Sequence, residues 1–342
     1  MKMLEKGFER RFQDLPLELE GYDWFDPHVH ILPPRRMKGL IRWVKGFFPG
    51  FPLPEDYGRE QVLKGLERAG VRRFFNLVFP LWAEETEELN RFNYELCSGV
   101  PGAVPFGSLH LDHPDKEAET ARCILEYGFA GMKLHPFAQG FSAFHEEMRP
   151  MYEVLQDAGR PLLVHTGFEE FYGMAIPLKD LERHLSRWDK VQVVAVHGLF
   201  PRFDVALGLL ESYPNFWVDL TNSVSCMRIY YQYKGGEDGG WEVQGFDPYE
   251  ISKYERHFEK LLEENAGRVI YGTDYPVGFG AHRALLEDLR YFRFGEGVER
   301  QLLHDSVLSL LSRCGIEATD YGREEEEITS LAELRHQKES SG

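Results

Sequence analysis

The feature that most constrains this chain is a series of eight short apolar runs, separated for most of their length by segments with helical periodicity. The runs are Trp24 to Ile31, Arg73 to Phe79, Val104 to Leu111, Ala130 to His135, Pro161 to Thr166, Val191 to His197, Phe216 to Thr221 and Val269 to Thr273. Near-continuous apolar stretches of this length suit strands buried on both faces of a parallel sheet. Arg59 to Ala69, Asp115 to Tyr127 and Met148 to Ala158 read as helices that stop at Gly70, Gly128 and Gly159, natural residues for a helix C-terminus. Pro201 to Ser212 stops before Pro214, and His282 to Phe292 and Val298 to Ser312 follow the last run. The centre is regular: Lys133 to His165 and His165 to His197 are 32 residues each, one βα unit apiece. This alternation predicts an α/β chain whose eight units close into a (β/α)8 TIM barrel.

A chain of 342 residues accommodates a barrel of about 250 residues with additions as one domain. We expect a single domain over 1–342, with its core at about 22–315 and an acidic extension at 321–342. Two connections are long for a barrel, Leu32 to Asp56 after the first strand and Asn222 to Tyr249 after the seventh. Both read as loops at the strand C-terminal rim, where a lid would sit. The first carries Arg35, Arg36, Lys38, Arg42 and Lys45 among aromatic residues.

The net charge of −17, from 39 basic and 56 acidic residues, argues against nucleic-acid binding through phosphates. No apolar stretch is long enough for a membrane span, and the first residues lack the apolar core of a signal peptide. The four cysteines, Cys97, Cys123, Cys226 and Cys314, form no C-x-x-C pair and no disulfide framework. A cytoplasmic protein acting on a small molecule is the resulting expectation.

The chemistry sits where the runs end. Phe25-Asp26-Pro27-His28-Val29-His30 opens the series, Val164-His165-Thr166-Gly167 and Val196-His197-Gly198 lie in the middle, and Gly272-Thr273-Asp274-Tyr275-Pro276 closes it. On a strand, residues i and i+2 share a face, so His28 and His30 both point into the barrel. Neutral imidazole is a favoured ligand of Zn2+ and its neighbours. A core histidine at 197 or a helix-capping aspartate at 274 would each be ordinary alone. Five such groups at one rim are a metal site.

With these motifs in view, the chain resembles the amidohydrolase superfamily, in the amidohydrolase-related branch of TIM-barrel hydrolases and aromatic-acid decarboxylases. D-x-H-x-H, G-x-K-L-H-P, V-H-x-G, A-V-H-G and G-T-D-Y-P occur in the family's order across about residues 22 to 315. The resemblance implies that His28, His30, His165 and Asp274 bind a divalent metal. That metal would be Zn2+ first, with Mn2+, Fe2+, Co2+ or Ni2+ as alternatives. It implies that Asp274 also takes a proton from the attacking water, and that His197 polarises the substrate or binds a second metal. Lys133 is open between a carboxylated bridge of two metals, a cation for a substrate carboxylate and a buried ion-pair partner. One metal is favoured over two, and His135 reads as a neighbour of the ligands. Arg228 and Arg283 could clamp a substrate carboxylate, and Trp82, Phe137, Phe168 and Tyr275 could form an apolar wall.

The expected activity is hydrolysis of an amide, lactone or related ester of a small metabolite, an anionic one among the candidates. The alternatives are non-oxidative decarboxylation of an aromatic or unsaturated acid, and a catalytically inactive, metal-stabilised binding protein. A homodimer is a further implication of the resemblance.

Overall fold

The structure, a computed structural model, describes residues 8–48, 50–236, 247–295, 297–317 and 321. Eight strands form one parallel sheet in sequential order. They are β1 (Phe25–Val29), β2 (Arg73–Leu77), β3 (Ala103–Gly107), β4 (Gly131–Leu134), β5 (Leu162–His165), β6 (Val193–Val196), β7 (Phe216–Asp219) and β8 (Val269–Ile270). Each pairs with the next in parallel. Closure back to β1 is made just past β8, by a bridge between Val29 and Tyr275 and a hydrogen bond of 2.8 Å from the His30 amide to the Tyr275 carbonyl. The (β/α)8 barrel read from the sequence is therefore observed, and all eight runs overlap a strand.

Alternation divides the core in two. Phe74, Leu162, Val164, Val193 and Val218 pack outward against the helices. Phe25, Phe75, Phe106, Leu163, Val194 and Trp217 pack against one another within the barrel, covered by Leu310 and Leu311 of the last helix. Phe75 sits with its ring centroid 5.3 Å from Phe25 and 4.7 Å from Phe106. This aromatic layer is the floor beneath the polar residues at the opposite end.

Strict alternation from inward Phe25 would turn His28 and His30 outward. The register shows what prevents this: Asp26 lies opposite Phe74 and Val29 opposite Asn76, so β1 carries an extra residue at its Pro27–His28 step. A bulge of this kind reverses the facing of everything after it. Val29 joins the outer core, and the two imidazoles turn in together.

The connection at Leu32 to Asp56 is not a simple loop. It holds a 14-residue helix, Pro34–Phe47, started by Pro34 and buried through Met37, Ile41 and Val44. That spacing of four and three is a helical face, hidden in the sequence by the surrounding basic residues. The connection at Asn222 to Tyr249 likewise opens as a helix, Ser223–Lys234, while 237–246 lies outside the described residues, as does 322–342 of the C-terminal extension. Thr86–Ser98, Leu178–Arg187 and Glu255–Glu264 are further helices not recognised from sequence. No helix among the described residues is long and apolar enough to cross a membrane.

Candidate metal centre and cavity

The strand ends deliver the five expected residues to one place. His28 Nε2 lies 3.2 Å from His30 Nε2, and Asp274 Oδ1 is 3.6 Å and 3.1 Å from these two nitrogens. His28, His197 and Asp274 each place a ligand atom within 4.8 Å of the others. His165 Nδ1 joins the group 3.2 Å from His197 Nε2.

Hydrogen bonds behind the rings fix their protons. A carbonyl only accepts, so His30 Nδ1, 2.7 Å from the Leu77 carbonyl, donates. His197 Nδ1 donates to the Thr221 carbonyl at 2.9 Å. His28 Nδ1 donates to the Asp219 carboxylate at 3.0 Å. Burial pushes the pKa of His28, and less strongly that of His197, below the ordinary value, which keeps these rings neutral. Their Nε2 atoms are then bare, and His28, His30 and Asp274 turn three lone-pair acceptors toward one point. His165 Nε2 is buried with no hydrogen-bond partner among the described residues. A buried polar atom left unpaired costs about 1–3 kcal/mol. A divalent cation satisfies the His28, His30 and Asp274 acceptors at once, and imidazole with carboxylate is the donor set of zinc and its neighbours. The residues therefore fit a metal.

Asp274 is the most constrained of them. Burial works against its ionisation, but positive charge on His28, His30 or His197, or on an ion held among them, draws the carboxyl well below the usual carboxylate range. Its second oxygen accepts 2.9 Å from Asn222 Nδ2. The backbone around the site is also unusual. His197, Asn222 and Asp274 have φ of 65°, 64° and 59°, and Phe168 has 54°. Non-glycine residues in this region cost about 1–3 kcal/mol each and gather at functional sites. At His197 the purpose is visible: Val194 and Val196 face inward, so the following side chain would point away had the chain not turned.

Two residues missed in the sequence hold the site in shape. Asp219 anchors His28 and is itself held by the Thr221 amide at 2.9 Å and hydroxyl at 2.6 Å. A carboxylate inside Phe216-Trp217-Val218-Asp219-Leu220 was a readable signal, since an acid in a buried strand needs a partner. Asn222 positions Asp274 and lines the cavity above. Asp26, the first residue of D-x-H-x-H, stays outside the site. It receives the Thr273 hydroxyl at 2.5 Å and His282 Nε2 at 2.8 Å, tying the end of β8 to β1.

Lys133 is fully buried on the inner face of β4, and its Nζ has no hydrogen-bond partner among the described residues. Burial pushes its pKa down to about 7, against the pull of Asp219 and Asp274. His135 lines the cavity and stacks on His165 with centroids 3.7 Å apart. Its Nδ1 accepts from the Ala138 amide at 3.2 Å, so the neutral ring carries its proton on Nε2, the reverse of His28, His30 and His197. It is built to donate a hydrogen bond.

A cavity of about 110 Å³ opens above these groups, where a single water needs about 10–15 Å³. Its walls include Trp43 and Val44 of the Pro34–Phe47 helix, Phe168, Phe171 and Tyr172 after β5, and Phe279 after β8. Trp43 stacks on Tyr172 at 6.0 Å, and Phe47 meets Phe171 at 4.5 Å. The segment after β1 thus roofs the site.

Three residues expected at the substrate lie elsewhere. Arg228 pairs with the buried Asp288, which also holds Arg11. Arg283 is on the surface with Glu18 and Glu287. Tyr275 is buried away from the cavity, its hydroxyl 2.6 Å from that of Tyr57 and 2.9 Å from Asp14 Oδ1. Of the expected apolar wall, Phe168 lines the cavity, Phe137 packs behind His165, and Trp82 is 57% exposed to solvent.

A family model described as Amidohydrolase matches residues 25–305. No curated protein matches the chain significantly. Among solved structures, one similar protein is the 5-carboxyvanillate decarboxylase of Novosphingobium aromaticivorans, bound to manganese and a nitrobenzoic acid. It shows 12% identity and a TM-score of 0.57 over 87% of this chain and 99% of that one. A 2,6-dihydroxybenzoate decarboxylase shows 14% identity and a TM-score of 0.55, over 84% and 99%. A protein from Pseudomonas putida, whose name proposes a 2-pyrone-4,6-dicarboxylic acid hydrolase, shows 18% identity and a TM-score of 0.54, over 87% and 99%. Identities this low carry the fold alone.

Proposed function

Because the chain belongs to the amidohydrolase family, we propose that it is a metal-dependent hydrolase that opens an ester, lactone or amide bond of a small metabolite. The observation that carries the reading is the convergence of bare imidazole nitrogens from His28 and His30 with one oxygen of Asp274, close to His165 and His197, beneath a cavity. We assign one metal to His28, His30, His165 and Asp274. When bound, it supplies Lewis acidity, which makes water acidic near neutral pH and polarises a carbonyl.

The protein groups do the rest. Asp274, ionised and fixed by Asn222, accepts the proton of the attacking water as its oxygen bonds to the carbonyl carbon. His197 keeps its proton on Nδ1 for the Thr221 carbonyl, so the hydrogen bond to the developing negative charge on the carbonyl oxygen comes from His135, whose proton is on Nε2. The bond to the leaving group then breaks, and the proton held on Asp274 passes to that group. The aromatic roof excludes bulk water, which strengthens each of these interactions.

Decarboxylation is the second reading. It is favoured by the aromatic walls, suited to a flat ring, and by the two decarboxylases among the similar folds. A substrate panel run in water enriched in 18O separates the two. Incorporation of the label into a carboxylic acid product supports hydrolysis. Stoichiometric CO2 release with no label in the organic product overturns it.

A further inference from the structure

The chemistry of the cavity wall says what kind of molecule enters. Its imidazole, carboxylate and amide groups are His30, His135, His165, His197, Asn222 and Asp274; every other lining residue is aliphatic or aromatic, Tyr172 and Trp43 included, or is Gly278. No lysine or arginine lines the cavity among the described residues. Lys133 is buried below the cavity and does not reach the wall, and two basic residues of the roof helix are held by acids. Arg36 pairs with Glu85 and lies over the Phe79 ring. Arg42 pairs with Glu55. The segment 237–246, from the connection after β7, reads Glu-Asp-Gly-Gly-Trp-Glu-Val-Gln-Gly-Phe and contains no cation to contribute.

Resting on the hydrolase reading, we propose that the substrate is a small ring-bearing ester, lactone or amide whose body carries no ionised group. Its one polar end lies at the metal, and its ring lies among Trp43, Phe48, Phe79, Phe171, Tyr172 and Phe279. A carboxylate placed among these walls would lose its water and gain no partner, which is strongly unfavourable. An uncharged ring gains apolar burial and face or edge contacts. His135, with its proton on Nε2, is the group that selects an acceptor on the ring near the floor. The polycarboxylated rings named for some similar folds would need cations that this wall does not offer.

The test is a matched pair of probes that do not react. Benzohydroxamic acid presents a chelating head and a plain ring; 4-carboxybenzohydroxamic acid adds one charge at the far end. Both are titrated calorimetrically into the metal-loaded protein. The proposal expects the uncharged probe to bind at least about 100-fold more tightly. Equal affinity, or preference for the charged probe, overturns it, as does failure of the uncharged probe to bind protein shown to contain the metal. Leu40→Arg, on the partly exposed side of the roof helix, places a cation at the wall and is expected to narrow the preference at least about tenfold. An unchanged preference in the folded variant also counts against the proposal. The metal reading is judged separately: it fails if both probes bind equally well after chelation or in His165→Ala, whatever their ratio.

Discussion

Gly272 offers a sharp test of how the metal residues are held. It follows β8 at the point where that strand passes the end of β1. A Cβ built there would meet His28 Cβ at 2.5 Å, Thr221 Oγ1 at 2.7 Å and the His28 amide nitrogen at 3.0 Å. Ordinary contact begins at about 3.4 Å, so Gly272→Ala must push the His28 backbone and the β7 end apart by close to 1 Å. Overpacking of this kind costs about 1–3 kcal/mol. For a chain of this size that is a fall in Tm of a few degrees at most, at roughly 1–2 °C per kcal/mol. The larger effect falls on the site, because His28 moves relative to Asp219 and Asp274. Displacing an orienting contact lowers metal affinity by about 10–100-fold. Competition against a chromophoric chelator measures this, and a thermal melt of the metal-free protein measures the packing cost. Gly208→Ala is the control: its Cβ would meet nothing within 4 Å, and in the helix Phe203–Ser212 it should stabilise by about 0.5–1 kcal/mol. If Gly272→Ala bound metal as tightly as the parent, the argument that His28 is placed by the close approach of β8 would be wrong.

Other predictions follow from the same contacts. Asp219→Ala frees the His28 ring and should lower metal affinity about 10–100-fold while the protein stays folded; chelator competition with unchanged affinity would remove Asp219 from its positioning role. Asp26→Ala leaves the Thr273 hydroxyl and His282 Nε2 without their acceptor and should cost about 2–4 kcal/mol, read by denaturant unfolding of the metal-free protein; a loss below 1 kcal/mol speaks against the staple between β8 and β1. His184 is buried against Tyr152 and Phe144, and burial, with help from Arg187, pushes its pKa down from 6.5 to about 3. The unfolded chain therefore binds the extra proton between those values. The stability that neutral His184 allows is complete above pH 6.5 and is lost as the pH falls toward 3. His184→Leu should flatten the acid-side stability slope by about 1.4 kcal/mol per pH unit, and an unchanged slope refutes the assignment.

The barrel was legible because strands buried on both faces leave long apolar runs, and a glycine or proline closes each of the four helices read between them. The candidate site was legible because H-x-H, the strand-end histidines and Asp274 are polar groups at strand ends that packing alone does not explain. What stayed hidden depends on contacts distant in sequence. The inward turn of His28 rests on a bulge visible only in the pairing with β2. The proton positions rest on carbonyls of Leu77 and Thr221, which no side-chain pattern encodes. Arg228 and Arg283 were placed at the substrate because they follow β7 and β8, but each lies on a helix and pairs with an acid, Asp288 in one case and Glu18 in the other. The roof helix was missed because Met37, Ile41 and Val44 are outnumbered by charged and aromatic neighbours.

The central claim is that His28, His30, His165 and Asp274 hold one metal ion. Elemental analysis of protein purified without chelators or affinity metals tests it most directly, with His165→Ala measured alongside. The account predicts one equivalent of a transition metal per chain and loss of most of it in the variant. Full retention of metal by His165→Ala, or parent protein that holds none and takes up neither Zn2+ nor Mn2+ when supplied, would contradict it.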